Sequence, residues 1–302
     1  MKPVINFMGI RRIAFACTVV LTLVSIGSLA VRGLNFGLDF TGGALIELSY
    51  EQPIELDQVR AQLAANGFSD AIVQSFGATT DVLVRMPGDD AQLGVRVSEA
   101  LQASDGANTA TVKRVEFVGP AVGEELRDQG GLGMLLALAG ILVYVAFRFQ
   151  WKFGFGAVVS LFHDVILVLG VFSLFQITFD LTALAAVLAV IGYSLNDTIV
   201  IFDRIRENFR VLRKADLLEN INISTTQTLL RTLATSISTL LAVGSLMVFG
   251  GESLWAFSLA LFIGVFAGTY SSVYIANVLL VWLKLTREDL IPPVTEEVDE
   301  RP

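Results

Sequence analysis

Thiols and imidazoles are almost missing from this sequence. Its 302 residues include one cysteine, Cys17, and one histidine, His163. A lone thiol excludes an intrachain disulfide and any cysteine-built metal cluster, and one imidazole without thiols does not make a zinc centre. Cys17 lies inside an apolar run, where a free cysteine acts as a small hydrophobe. Charge is scarce too: 17% of residues are charged while 54% are hydrophobic. With a mean hydropathy of +0.66, the chain has more apolar side chains than a soluble core of its size can hide, so it reads as a membrane protein. The net charge of -8 matters less than how charge divides between the two faces. No cofactor, metal site or nucleic-acid partner is expected.

Six stretches reach the length of about 20 residues needed to cross a bilayer. They lie near 13–31, 131–148, 155–175, 181–202, 227–249 and 255–283, the last long enough to tilt or overrun the interface. Lys2, Arg11 and Arg12 precede the first; Arg148 and Lys152 fill the second connection; Arg204, Arg206, Arg210, Arg213 and Lys214 fill the fourth; Lys284 and Arg287 follow the last. The short connections "QITFD" and "GGES" carry no Lys or Arg. The positive-inside rule then places both termini in the cytoplasm, with Arg32 and Arg127 as exceptions. "SLA" near Ala30 faintly resembles a cleavage site, but the apolar stretch exceeds the core of a secretory signal, so the first span is read as an anchor.

The resulting division is residues 1–32 for the N-terminus and first span, 33–128 for an external domain, 129–285 for spans two to six, and 286–302 for an acidic tail. In the external part the pattern changes. "ALIELSY" alternates as a strand does, and "IELDQVRAQLAANG" puts Leu56, Val59 and Leu63 on one helical face before Gly67. "AIVQSF" and "DVLVRM" follow as strands, then a weaker helix in "AQLGVRVSEALQA" and a strand in "ATVKRVEFV". The order βαββαβ predicts a ferredoxin-like α+β unit. Asp89, Asp90, Glu124 and Glu125 read as a solvated acidic face.

Inside the membrane the informative residues are polar. Asp197 lies six residues from Asp203, the expected cytoplasmic end of span four, which is roughly 9 Å inside. A charge there costs at least about 2.5–3.5 kcal/mol, and aspartate is too short to snorkel. Arg231 enters span five to about the same depth from the opposite direction. Gln227, Arg231, Thr235 and Ser238 recur at helical spacing, and Tyr193 and Asp197 share a face, with Ser194 and Thr198 beside it and Asn196 as a further candidate to line the pathway. Such stripes predict a hydrated pathway whose carboxylate gains and loses a proton as Arg231 moves away and back. A permanent pair that only fixes helix packing is the alternative. His163 and Asp164 fall near the midplane of span three, where their helical angle keeps them from facing one partner; one is expected to line the pathway and the other to bond across a helix interface. An aspartyl protease dyad of Asp164 and Asp197 is disfavoured by the charges around it and by the missing Gly-x-Gly-Asp element, so no enzyme activity is expected. Gly42 and Gly43 permit positive φ or close backbone approach, as a hinge or a plain turn.

Four stretches carry a resemblance: "LNFGLDFTGG", "EFVGPAVGEELR", "GYSLNDTIVIFDRIREN" and "STTQTLLRTLATSISTLLA". They are similar to the SecD/SecF family of protein-export membrane proteins in the RND superfamily, and the "DFTGG" form at Asp39 to Gly43 resembles its SecF side. The resemblance implies half of an RND-type transporter, completed by a SecD half, in a bacterial inner membrane with residues 33–128 periplasmic. It implies use of the proton gradient, or sodium in some marine relatives, to assist release of unfolded preprotein beside the SecYEG translocon, with YajC and YidC as further partners and lipid around the spans. The ion-responsive group falls on Asp197, its basic partner on Arg231 and a nearby polar group on Thr235. An RND-type exporter of small molecules or lipids, and a purely structural translocon scaffold, are the competing functions.

Overall fold

The computed structural model describes residues 3–104, 108–212 and 215–290. Arg213 and Lys214, and most of the acidic tail, lie outside the described residues. A short 3-10 turn, Phe7–Ile10, leads into α1 (Arg11–Arg32). Then come β1 (Asn35–Phe36), α2 (Leu38–Thr41), β2 (Gly43–Tyr50), α3 (Leu56–Ala65), β3 (Ile72–Phe76), β4 (Ala78–Met86), α4 (Leu93–Ser104) and β5 (Ala110–Val118). The rest is helical apart from one short strand: α5 (Pro120–Arg148), α6 (Trp151–Phe175), β6 (Thr178–Phe179), α7 (Leu181–Val211), α8 (Leu217–Phe249), α9 (Glu252–Val273) and α10 (Ile275–Trp282).

Six helical stretches among the described residues are long and apolar enough to cross a membrane, α9 and α10 together making the last. Several run past the expected ends because their polar termini stay helical: α7 continues through Arg204 and Arg206 to Val211, and α8 starts at Leu217. Asp216 caps α8 by accepting the Glu219 N–H at 2.7 Å, as an N-terminal aspartate does. The sixth span is interrupted at Tyr274. Asn277 donates to the freed carbonyls of Val273 at 2.8 Å and Ser272 at 3.4 Å, which satisfies part of the break.

The external unit is a four-stranded antiparallel sheet in the order β3-β4-β2-β5, the ferredoxin-like arrangement its sequence pattern predicts. On β2, Ala44, Ile46, Leu48 and Tyr50 point inward and pack with Val59 and Leu63 of α3 and Val97 and Leu101 of α4.

Close packing inside the bundle relies on small residues, as it does where lipid supplies no hydrophobic drive between helices. A side chain at Gly264 would collide with Val190, and one at Gly268 would come within 3.0 Å of the Ser194 Cβ, so α9 and α7 approach at backbone distance. The helices are unequally covered: 56% of the apolar window of α7 is buried, but only 6% of that of α5 and 17% of that of α8.

One pairing was not expected. "QITFD" reads as a bare turn, yet its Thr178 and Phe179 form β6, which pairs in parallel with Asn35 and Phe36 of β1. Two residues are too few to leave a periodic signal, and the paired residues are 143 positions apart in sequence.

Candidate functional site

Asp197 lies on α7 with 3% of its surface exposed, and its Oδ2 has no hydrogen-bond partner among the described residues. Arg231 on α8 is exposed at a comparable depth, near enough for its charge to act on Asp197 but forming no ion pair with it among the described residues. The expected contact is therefore open in this arrangement. A buried carboxylate with one oxygen unpartnered among the described residues thus lies near a cation exposed on the neighbouring helix.

Thr235 is half-buried and its hydroxyl donates back to the carbonyls of Arg231 at 3.1 Å and Thr232 at 3.0 Å. Ser238 is exposed and donates to the Thr235 carbonyl at 3.0 Å. The Arg231, Thr235 and Ser238 stripe thus runs along a face of α8 that this chain does not cover. Gln227 is drawn to the loop end instead, where its Oε1 accepts from Arg204 Nε at 2.6 Å and Asn208 Nδ2 at 2.9 Å. Asn196 is exposed, while Thr198 is buried and shares a 2.9 Å hydrogen bond with Ser272 on α9.

His163 and Asp164 differ from expectation in one respect. Neighbours on a helix diverge by about 100°, yet their side chains bend together, with His163 Nδ1 3.0 Å from Asp164 Oδ1. The second carboxylate oxygen of Asp164 accepts from Ser194 of α7 at 2.5 Å and Ser271 of α9 at 2.7 Å. With no exposed surface, this carboxylate ties three helices together. Ser271 was not singled out by the sequence. It stands in a span whose hydropathy hides single hydroxyls, and only its neighbour Ser272 hints at a polar spot.

Gly42 and Gly43 have φ of +66° and +113°, the region glycine tolerates and other residues resist. A Cβ at Gly42 would lie 2.7 Å from the Pro120 Cα, and one at Gly43 would strike the Met86 carbonyl. The pair turns the chain from α2 into β2 directly against the entrance to α5.

Three residues at the end of the bundle beside the α+β domain also matter. Asp180 accepts the Ala183 N–H at 2.7 Å and Asp39 accepts the Leu181 N–H at 2.9 Å, so two carboxylates cap α7. Arg85 of β4 bonds to Thr178 of β6 and to the Phe36 carbonyl of β1. An aspartate immediately before "LTALAA" is a readable N-cap signal for Asp180, whereas Asp39 and Arg85 act on distant sequence.

These features define a class, a multi-pass membrane protein of six spans with one α+β domain inserted after the first. Residues 97–286 match the family model of the protein export membrane protein SecD/SecF, C-terminal, and residues 27–54 match that of the SecD/SecF GG motif. The protein translocase subunit SecF of Pseudomonas aeruginosa is 69% identical over 299 residues, covering 99% of this chain and 98% of that protein. The subunit of the same name from Vibrio alginolyticus is 47% identical, covering 100% of this chain and 98% of its own length. Crystal structures of SecDF are similar in fold: one from Thermus has a TM-score of 0.86 and a super-membrane-facing form 0.70, both at 40% identity. This chain has 94% of its length covered in each and spans 39% of the SecDF chain. The chain belongs to the SecD/SecF family of protein export membrane proteins.

Proposed function

We propose that the chain serves as the SecF half of a SecDF complex in a bacterial inner membrane, assisting translocation of unfolded preprotein by the Sec machinery rather than catalysing a reaction. A SecD half would pack on the faces of α5 and α8 that this chain leaves open, placing Arg231, Thr235 and Ser238 at the seam between halves. Both termini would be cytoplasmic and the β2–β5 domain periplasmic, near SecYEG and the emerging preprotein, with YajC and YidC as further neighbours.

The driving step is proton uptake by Asp197. In one arrangement the guanidinium of Arg231 neutralises the carboxylate; in the other it is withdrawn and a proton takes its place. Entry of each proton down the membrane potential supplies about 2.3 kcal/mol per 100 mV, and gaining or losing a charge partner inside the bundle changes which helix arrangement is favoured. The observation that carries this reading is the buried Oδ2 of Asp197 without a partner, with Arg231 near but not paired. Thr235 and Thr198 flank the route as hydroxyl groups.

The test is preprotein export by the complex with Asp197→Asn, in which the carboxylate can neither ionise nor pair. Export should fall sharply while assembly with SecD is kept; unchanged export refutes proton coupling at this residue. The scaffold alternative predicts that the swap of Asp197→Arg with Arg231→Asp restores ion-insensitive function. The exporter alternative would require small-molecule or lipid efflux, and the single four-stranded domain offers little porter surface.

A further inference from the structure

The outer end of α7 is held by residues that belong to the approach to the external domain. Asp39 lies between α1 and β2, four residues before the strand begins, yet its carboxylate caps the Leu181 N–H of α7. The cap adds to the one from Asp180, and two carboxylates at a helix N-terminus are favoured by both the unpaired amides and the helix dipole. Beside it, the Gly37 N–H donates to the Phe179 carbonyl at 2.8 Å, which extends the β1–β6 pairing. A Cβ on Gly37 would come within 3.1 Å of the Asp180 Cβ, so the two capping segments pack closely. Phe40, next to Asp39, is buried in the bundle core and stacks on Phe179 at 6.2 Å.

Arg85 closes the same junction from the sheet. It projects from β4, paired directly with Leu45 of β2, and its guanidinium bonds to Thr178 and, at 3.4 Å, to the Phe36 carbonyl. Its positive charge also acts on Asp180. One side chain of the external sheet thus grips both strands of the junction, while Asp39 grips the helix behind it. From there α7 runs unbroken to Val211 and carries Asp197 sixteen residues from Leu181, about 24 Å along the axis. The two SecDF crystal structures, equal in coverage and identity, fit this chain with TM-scores of 0.86 and 0.70, a difference of arrangement between them.

We infer that Asp39 and Arg85 are positioning residues that latch the external domain to the outer end of α7 and carry movement between the domain and Asp197. This rests on the proposed role of Asp197, and it assigns the transmission to one capped helix end rather than to the Gly42–Gly43 turn alone. A rigid helix held at one end by a domain and carrying a switching charge further along is a two-state element that both sites can bias.

The test uses the full chain with SecD in a Cys17→Ser background, with nitroxides at Ala65→Cys on the domain and Phe249→Cys on the outer end of α8. Electron–electron distance distributions are compared with Asp197 intact and as Asp197→Asn. With the latch native, Asp197→Asn should move the main distance peak; with Arg85→Gln or Asp39→Ala the peak should broaden and the Asp197-dependent move should shrink to less than half. Arg85→Lys keeps the charge but not the two-point grip and should fall between. If Arg85→Gln fails to assemble, Thr178→Val removes the acceptor from the other side. An Asp197-dependent move of full size in the latch variants overturns the inference. If Asp197→Asn moves nothing even with the latch native, the role of Asp197 fails instead; the latch is then judged on Arg85→Gln alone, and an unbroadened distribution overturns it.

Discussion

Asp197 and Arg231 stand the same distance from the loop that joins their helices, fourteen residues before Val211 and fourteen after Leu217, but one is buried and the other exposed. Equal counts give equal depth, about 21 Å along each axis. Their unequal burial means that the carboxylate belongs to this chain's interior and the guanidinium to its boundary. On the proposed reading, a charge placed that way responds to the half that packs on α8.

The turn from α2 into β2 should not tolerate side chains. Gly42→Ala and Gly43→Ala each force an L residue into positive φ, at about 1–2 kcal/mol, and each also meets a backbone atom. Thermal unfolding of the detergent-solubilised chain should show both variants less stable than the parent by at least that amount. A variant at either position with unchanged stability would mean that the turn can open, contrary to its contacts with Pro120 and Met86.

The Asp164 cluster is predicted to act as a packing lock. Asp164→Ala removes the acceptor shared by Ser194 and Ser271 and the partner of His163, and should cost about 2–5 kcal/mol, as a buried polar network loses when its central member is removed. Ser271→Ala, which leaves the carboxylate its other two partners, should cost about 1 kcal/mol. Unfolding midpoints of the two variants measure the ordering; Asp164→Ala with native stability but no export would move Asp164 from the lock to the ion path.

The external domain carries a pH-dependent contact. Asp81 accepts from Ser49 at 2.6 Å and pairs with Lys113 at 3.1 Å; the Ser49 hydrogen bond above all, with Lys113 beside it, holds its carboxyl below the ordinary value of 3.8. Because the folded pKa is depressed, the contact stabilises fully above pH 3.8 and is lost as pH falls through the lower folded value. Hydrogen exchange of the β2 and β4 amides at neutral pH should be faster in Asp81→Asn than in the parent, with the gap closing under acid. The effect should stay within about 1 kcal/mol, the usual scale of a pair near the surface. A gap that persists below the folded pKa would assign the effect to packing.

Much of this architecture is legible in the sequence because it is periodic or long. Continuous apolar runs give all six spans, and alternation in "ALIELSY" together with the helical face of Leu56, Val59 and Leu63 gives the external fold. Asp197 and Arg231 stand out because a charge in an apolar run is costly wherever the helix places it. What is hidden is non-local or too short. Ser271 contacts Asp164 across 107 positions and Asp39 contacts Leu181 across 142, so neither leaves a local pattern. The two-residue strands at Asn35 and Thr178 cannot alternate long enough to be seen. The break at Tyr274 is likewise silent, since neither proline nor glycine marks it and Asn277 alone signals a satisfied gap.

The most direct test of the central claim is proton flux into sealed vesicles that hold this chain together with SecD under an imposed proton gradient. Native complex should show gradient-driven proton entry, and complex with Asp197→Asn, equally assembled, should show entry reduced to the background of vesicles without protein. Equal flux through both complexes would contradict the assignment of Asp197 as the proton-carrying group.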